Sequence, residues 1–233
     1  LGLARQPGRG LIRVGRAVWG TRLARERRLL RSRLGRFTPM DAFDWAWPKR
    51  IDRAAAEAAL HLEFLAAGRN LVLVAAQGLG KTLIAQNIAH QGVPAGHHVL
   101  FTTAAQLLLD LGSQDSARGL ARRLTYTASA GSPSWTNSVT SSYDARTADL
   151  LFQVVSRRYE RGPMITSNQN FGSWGDVFGD RIIATAILDR ILHHAITLNI
   201  RGNSYRLKDK LKARPPQIGR GHHLNTWRVG TFR

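Results

Sequence analysis

The chain has 233 residues, 43% of them apolar, no cysteine, and a formal net charge of +19. That composition suits one sizeable core with an extension or two small domains, and it excludes disulfides and thiolate metal sites, the cysteine usage of a cytoplasmic protein. No run of 18 or more apolar residues occurs, which excludes a membrane-spanning helix.

The charge is unevenly placed. Residues 1–36 carry eleven arginines against Glu26 alone, 201–233 carry nine Lys or Arg against Asp209, and 37–200 are near neutral at +1. A neutral core between two basic arms points to a polyanion, with DNA the commonest; a pair of solvated tails is the alternative. The chain opens on Leu1, and its methionines are Met40 and Met164. The first 20 residues are Arg-rich like a transit peptide but lack its serines, so a truncated or conceptually translated start is expected.

In chain order, "TRLARERRLLRSRL" (Thr21–Leu34) sets Leu23, Leu30 and Leu34 among arginines, the pattern of a basic helix with a thin apolar stripe. Pro39 and Pro48 then break helicity around Phe43, Trp45 and Trp47, an aromatic cluster expected to pin this linker to the core, with base stacking as the lesser alternative. A helix is expected over Asp52–Gly68, with Asp52 as N-cap and Gly68 as its end. Strands follow at Asn70–Ala75, His97–Thr103, Pro163–Asn168 and "AITLNI". Helices are expected at "KTLIAQNIAHQG", "AAQLLLDLG", Thr147–Gly162 and Ile182–Ala195. Such alternation implies a parallel sheet covered on both faces. The stretch Thr125–Ser142 is uncharged, rich in Ser and Thr, and without apolar periodicity; alone it predicts a flexible loop.

Between the first strand and its helix lies "AAQGLGKTL", Ala75 to Leu83. A strand, a small-residue loop and a Lys-Thr opening a helix are what triphosphate binding needs: backbone N–H groups close around the phosphates and the helix end adds partial positive charge. Against G-x-x-x-x-G-K-[ST], Gly80, Lys81 and Thr82 match, and Ala75 replaces the first glycine. Lys81 would reach the β- and γ-phosphates and the Thr82 hydroxyl would hold Mg²⁺. Ala75, Ala76, Gln77, Gly78, Leu79, Gly80, Lys81, Thr82 and Leu83 are the candidate nucleotide-binding residues.

Four further stretches, "ERRLLRSRLGRFTPMDAFDWAWPKRID", "FLAAGRNLVLVAAQGLGKT", "ADLLFQVVSRRYERGPMITSNQNFGSWGDVFGD" and "AILDRILHHAITLNIRGNSYR", resemble the IstB-like transposition helper ATPases of the DnaC-like branch of AAA+ proteins. The similarity runs over about 25–207, except 124–142. It implies an α/β P-loop NTPase fold, a parallel sheet sandwiched by helices, with a basic N-terminal helical extension. It implies ATP and Mg²⁺ as cofactors, duplex DNA and a cognate transposase as partners, and a homo-oligomer on DNA, with no membrane role. By the same resemblance Asn168 is the sensor that orients water, and Arg190 is the arginine finger that serves a neighbouring subunit. Arg22, Arg25, Arg27, Arg28, Arg31 and Arg33 are the candidate DNA contacts. The expected organisation is a basic arm and aromatic linker over 1–48, an ATP-binding core over 49–207 that is aberrant at 124–142, and a basic, disordered tail over 208–233. His193 and His194 lack a carboxylate at ligand spacing and are expected to pack rather than bind metal.

The resemblance fails at one strand. The family's Asp-Glu pair, which completes Mg²⁺ coordination and polarises water, should lie about seven residues before "YDAR" (Tyr143–Arg146), where "SWTNS" stands instead. The codons for Trp135–Thr136 read out of frame contain GAC, aspartate, and the next shifted triplet is GAA, glutamate, for one of the four Thr codons. An out-of-frame segment over about 124–142 is therefore expected, a divergent loop being the alternative, and the gene's codons decide between them. If the segment is real protein, a central strand would be lost or badly formed, with weak nucleotide binding and little hydrolysis. The competing functions are a DnaC-like helicase loader and a DNA-binding scaffold with a vestigial nucleotide site.

Overall fold

The computed structural model describes residues 22–36, 38–129, 132–137, 143–159 and 164–208, with 132–137 described as backbone. What the sequence suggested for residues 1–20 and for the tail after Lys208 lies outside these. A helix, α1, spans 22–31. It is followed by α2 (Arg53–Leu60), α3 (Glu63–Ala66), β1 (Asn70–Ala75), α4 (Lys81–Gly92), β2 (Val99–Thr103), α5 (Ala104–Gly112) and α6 (Ala117–Ser129). Then come β3 (Ser132–Asn137), α7 (Ala145–Arg157), β4 (Met164–Ser167), α8 (Trp174–Phe178), α9 (Arg181–Leu192) and β5 (Ala195–Ile200).

The strands form one sheet in the order β2-β3-β4-β1-β5, with every pairing between them parallel. Parallel strands need crossover helices, and those helices cover both faces, so the central strands are apolar throughout. In β1, Leu71, Val72 and Leu73 are fully buried. Alternation sends Leu71 and Leu73 to the face packed by α2, α3 and α4, and Val72 to the face packed by α5, α7, α8 and α9. Met164 and Ile165 of β4 divide the same way.

Helix starts follow the cap residues. Asp52 accepts from Ala55 N (3.0 Å), as expected, and Thr103, Asp144 and Asp180 cap α5, α7 and α9. Asp144 starts α7 two residues earlier than the apolar pattern suggested, and α7 stops at Arg157 rather than Gly162. The strand expected from His97 starts at Val99. The helix expected over Asp52–Gly68 is broken: Leu62 sits at φ 64°, between α2 and α3. A left-handed residue costs about 1–2 kcal/mol, and the turn it makes buries Phe64 to 1% exposure, a contribution of about 1.5–3 kcal/mol. Burial prevails over the helical run.

The larger correction concerns Thr125–Ser142. Thr125–Ser129 completes α6, and Ser132–Asn137 is a strand between β2 and β4, not a flexible loop and not a lost strand. Its Cα register runs Val99↔Ser132 to Thr103↔Thr136 on one side and Ser134↔Met164 to Asn137↔Ser167 on the other. Two parallel neighbours offer a hydrogen-bonding ladder to any backbone between them, whatever its side chains. Hydrophobic periodicity cannot report a strand held in that way.

Candidate functional site: a phosphate loop at the carboxyl edge of the sheet

The buried β1 delivers its last residue, Ala75, into a five-residue turn that opens α4. Ala75 is in the strand, paired with Ile200, and is absent from the positive-φ residues among those described, so replacing the motif's first glycine carries no backbone strain. The curvature comes instead from Gly78 (φ 78°) and Gly80 (φ 86°), a conformation side chains seldom adopt. Contacts add to the demand. A Cβ on Gly80 would stand 2.6 Å from the Phe43 ring, and one on Gly78 would collide with the Ser204 hydroxyl.

Lys81 is the first residue of α4. Its ammonium donates to the carbonyls of Ala75 (2.6 Å) and Ala76 (2.8 Å), so the side chain folds back over the loop. Burial, then the nearby Arg206 guanidinium, lower its pKa from 10.5 to about 8. Thr82 is exposed beside it. At the end of β4, Ser167 pairs with Val74, so Asn168 emerges next to the start of the loop. Asn168 Oδ1 is buried without a hydrogen-bond partner, a cost that a ligand at this edge would relieve. The C-terminal end of β3 reaches the same edge, with Asn137 opposite Ser167, and no acidic residue lies between Ser132 and Asn137.

A cavity of about 220 Å³ opens onto the loop. One wall is the linker, where Phe43 and Trp45 meet edge to face (4.9 Å) as the aromatic cluster predicted, and Trp47 Nε1 donates to Asn203 O (2.8 Å). The other wall, Tyr205 and Arg206, follows β5 and is tied to the loop by Tyr205 N donating to Gly78 O (2.8 Å). Arg206 and Tyr205 escaped the sequence reading. Their signal was present in "RGNSYR", but nothing in a linear pattern shows that the end of β5 returns to the loop after β1.

The other candidates lie elsewhere. Arg190 is near the end of α9, its guanidinium 4.6 Å from the Phe152 ring centroid and donating to Ala186 O. Asn70 Nδ2, at the start of β1, donates to Arg190 O (3.1 Å) and Ile191 O (2.8 Å). Arg190 therefore sits by the start of β1, at the opposite end of the strand from the loop that carries Lys81. Of the six candidate arginines, Arg25, Arg27 and Arg31 are exposed, Arg22 pairs with Glu26, Arg28 donates to Val93 O, and Arg33 pairs with Asp110 (3.1 Å). Of the expected stripe, Leu23 (48%) and Leu30 (82%) are exposed, and Leu34, buried, lies beyond the end of α1. His193 Nδ1 bonds Tyr159 OH (2.7 Å), and no group of three metal-ligating His, Cys, Asp or Glu occurs among the described residues. No described helix is long and apolar enough to cross a membrane.

The glycine turn, the half-buried ammonium and the Thr82 hydroxyl fit a nucleoside triphosphate and one protein ligand of its Mg²⁺, while the orphaned Asn168 oxygen, an acceptor, fits a water beside it. The residues of β3 do not fit the metal-completing and water-polarising carboxylates.

The family model described as "IstB-like ATP binding protein" matches residues 15–213. The chain belongs to the IstB-like ATP-binding family. An ATP-binding protein of insertion sequence IS21 from Pseudomonas aeruginosa is 38% identical over 189 residues, 81% of this chain and 71% of the relative. Among solved structures, DnaI is similar in fold (TM-score 0.57, 18% identity, 72% of this chain and 89% of that one). The DnaC helicase loader is likewise similar (TM-score 0.54, 16% identity, 70% and 96%). The fold of this IstB-like chain is thus the parallel sheet flanked by helices of P-loop AAA+ proteins, as expected.

Proposed function

We propose that this chain is an ATP-binding helper of DNA transposition with impaired hydrolysis, and that it binds duplex DNA and assists a transposase. The observation that carries the reading is the shared edge: Lys81, Thr82 and the unpartnered Asn168 oxygen converge where β3 brings no acid. When bound, the triphosphate supplies the bond to be broken and Mg²⁺ neutralises its charge. For the protein's part, Lys81 exchanges its two loop carbonyls for phosphate oxygens and Thr82 offers its hydroxyl to the metal. Arg206 adds a second cation, and Asn168 accepts from a water or hydroxyl at the edge of β4. With Trp135, Thr136 and Asn137 at the end of β3, no group takes the water's proton, so turnover is slow. The exposed arginines of α1 supply phosphate contacts to DNA, and the insertion-sequence relatives supply the transposition setting. The absent acids are accounted for by a shifted frame over about 124–142, since the shifted Asp-Glu would fall at Thr136–Asn137, at the carboxyl end of β3.

Titration with fluorescent ATP tests the reading: saturable binding is expected, lost on Lys81→Ala, with hydrolysis near background. Mg²⁺-dependent turnover abolished by Lys81→Ala would overturn the impaired-hydrolysis part. The competitor is a DNA-binding scaffold with a vestigial site, and absence of saturable binding in the unaltered protein would select it.

A further inference from the structure

Asp110, near the end of α5, is where three elements meet. Its Oδ2 accepts from Arg33 Nη1 (3.1 Å), just beyond α1, and from Arg123 Nη2 (2.9 Å), on α6, while Gln106 Nε2 donates to Oδ1 (3.0 Å). Two guanidiniums far apart in sequence thus converge on a single oxygen. Arg33 is held in place for this. Ser32 (0% exposed) and Leu34 (3%) are buried on either side of it, Ser32 O accepts from Phe101 N (2.7 Å), and Arg33 itself is left-handed at φ 57°. A bulky residue persists in that conformation only where its surroundings over-determine it, and such strain gathers at sites of function. On α6, which has no acidic residue, Arg118, Arg122 and Tyr126 follow one another at four-residue spacing and all are exposed. The Arg123 guanidinium lies 5.2 Å from the Tyr126 ring centroid, so it borders the same face.

Resting on the duplex-DNA reading above, we infer that Arg33 and Arg123 form a cradle for a DNA phosphate, and that Asp110 is an internal stand-in that occupies the cradle until DNA displaces it. The side chains of Arg33, Arg123 and Asp110 are 46%, 25% and 22% exposed, so water and salt reach the cluster. Ion pairs in such settings contribute little to stability and exchange readily. A phosphate presents the same acceptor oxygens to the same forked donors, with a charge that arginine matches in two parallel hydrogen bonds. One carboxylate against two guanidiniums leaves the cluster cationic, as a polyanion site must be. Asp110 therefore sets a threshold. An isolated phosphate competes with a carboxylate already tethered beside the arginines, whereas a duplex that also engages the exposed arginines of α1 brings its next phosphate to the cradle at high effective concentration. The acid weakens casual polyanion binding and spares a ligand long enough to reach both α1 and α6.

Anisotropy titration of the full chain against a labelled DNA duplex, repeated over a range of salt concentrations, tests the stand-in. Asp110→Asn should bind about fivefold tighter or more, and log affinity should fall with log salt more steeply by about 1–2, the slope of one or two added phosphate contacts. Asp110→Ala, which favours the helix, should show the same gain and serves if the asparagine variant does not fold. Asp110→Glu, which keeps the charge, should gain less. Adding Arg33→Met or Arg123→Met to Asp110→Asn should each remove part of the gain and about one unit of slope. Asp115→Asn, an equal change of charge nearby in the chain, should gain less than Asp110→Asn. Unchanged or weaker binding in Asp110→Asn and Asp110→Ala would overturn the stand-in while leaving the DNA reading in place. So would a gain equalled by Asp115→Asn, or one that survives loss of both arginines. Failure of the unaltered protein and every variant to bind the duplex would overturn the DNA reading and this inference with it.

Discussion

At Lys81 two effects oppose the charged form that a phosphate requires: partial burial and the neighbouring Arg206 cation. The folded pKa lies at about 8 against an ordinary value of 10.5. Between those values the unfolded chain binds more protons than the native one, so the lysine costs native stability below about pH 8 and the cost is relieved as pH rises. Ligand binding has the opposite sign, since triphosphate favours the ammonium. ATP affinity should be flat below about pH 7 and fall by up to tenfold per unit above about pH 8, read by fluorescent titration across that range. A pH-independent affinity would mean that Lys81 does not contact the phosphates.

Among the elements, the end of α9 hangs on a single side chain. Asn70, 3% exposed, donates from Nδ2 to the carbonyls of Arg190, Ile191 and, at 3.4 Å, His193. Asn70→Leu strips those terminal carbonyls of their donor in a buried setting and should destabilise the fold by about 1–3 kcal/mol, measurable by denaturant melts. The signals that revealed elements and those that hid them differ physically. β1 announced itself because Leu71 to Leu73 are buried on both faces, and α4 because glycines and Lys-Thr stand at its start. Ser132–Asn137 was invisible because its place is set by β2 and β4. The break at Leu62 was hidden because an alanine run favours helix locally while the burial of Phe64 is a tertiary effect. Lys81, Thr82 and Asn168 were legible from spacing and resemblance; the Tyr205–Arg206 wall was not, because only the closed sheet carries it back to the loop.

For the molecule as a whole, one alteration should separate a damaged site from an unsuited one. Thr136→Asp with Asn137→Glu restores acids at the carboxyl end of β3, level with Ser167 and one residue short of Asn168 on β4. The doubly substituted protein should gain Mg²⁺-dependent ATP hydrolysis of at least tenfold, abolished by Lys81→Ala; no gain would show that more than the carboxylates has been lost. Arg190 bears on how that hydrolysis would scale. The loop and Arg190 occupy opposite ends of β1, so one copy cannot apply its own arginine to its own phosphates. A two-fold pair completes two such sites only if both ends of each partner meet at once, which opposite ends of one sheet disfavour. If Arg190 serves a neighbouring copy, as the family resemblance implies, the loop is the socket at one pole and Arg190 the plug at the other, and copies would add head to tail. Such an array would close into a ring where the rotation between copies allows, and would grow along one direction with its last socket open where it does not.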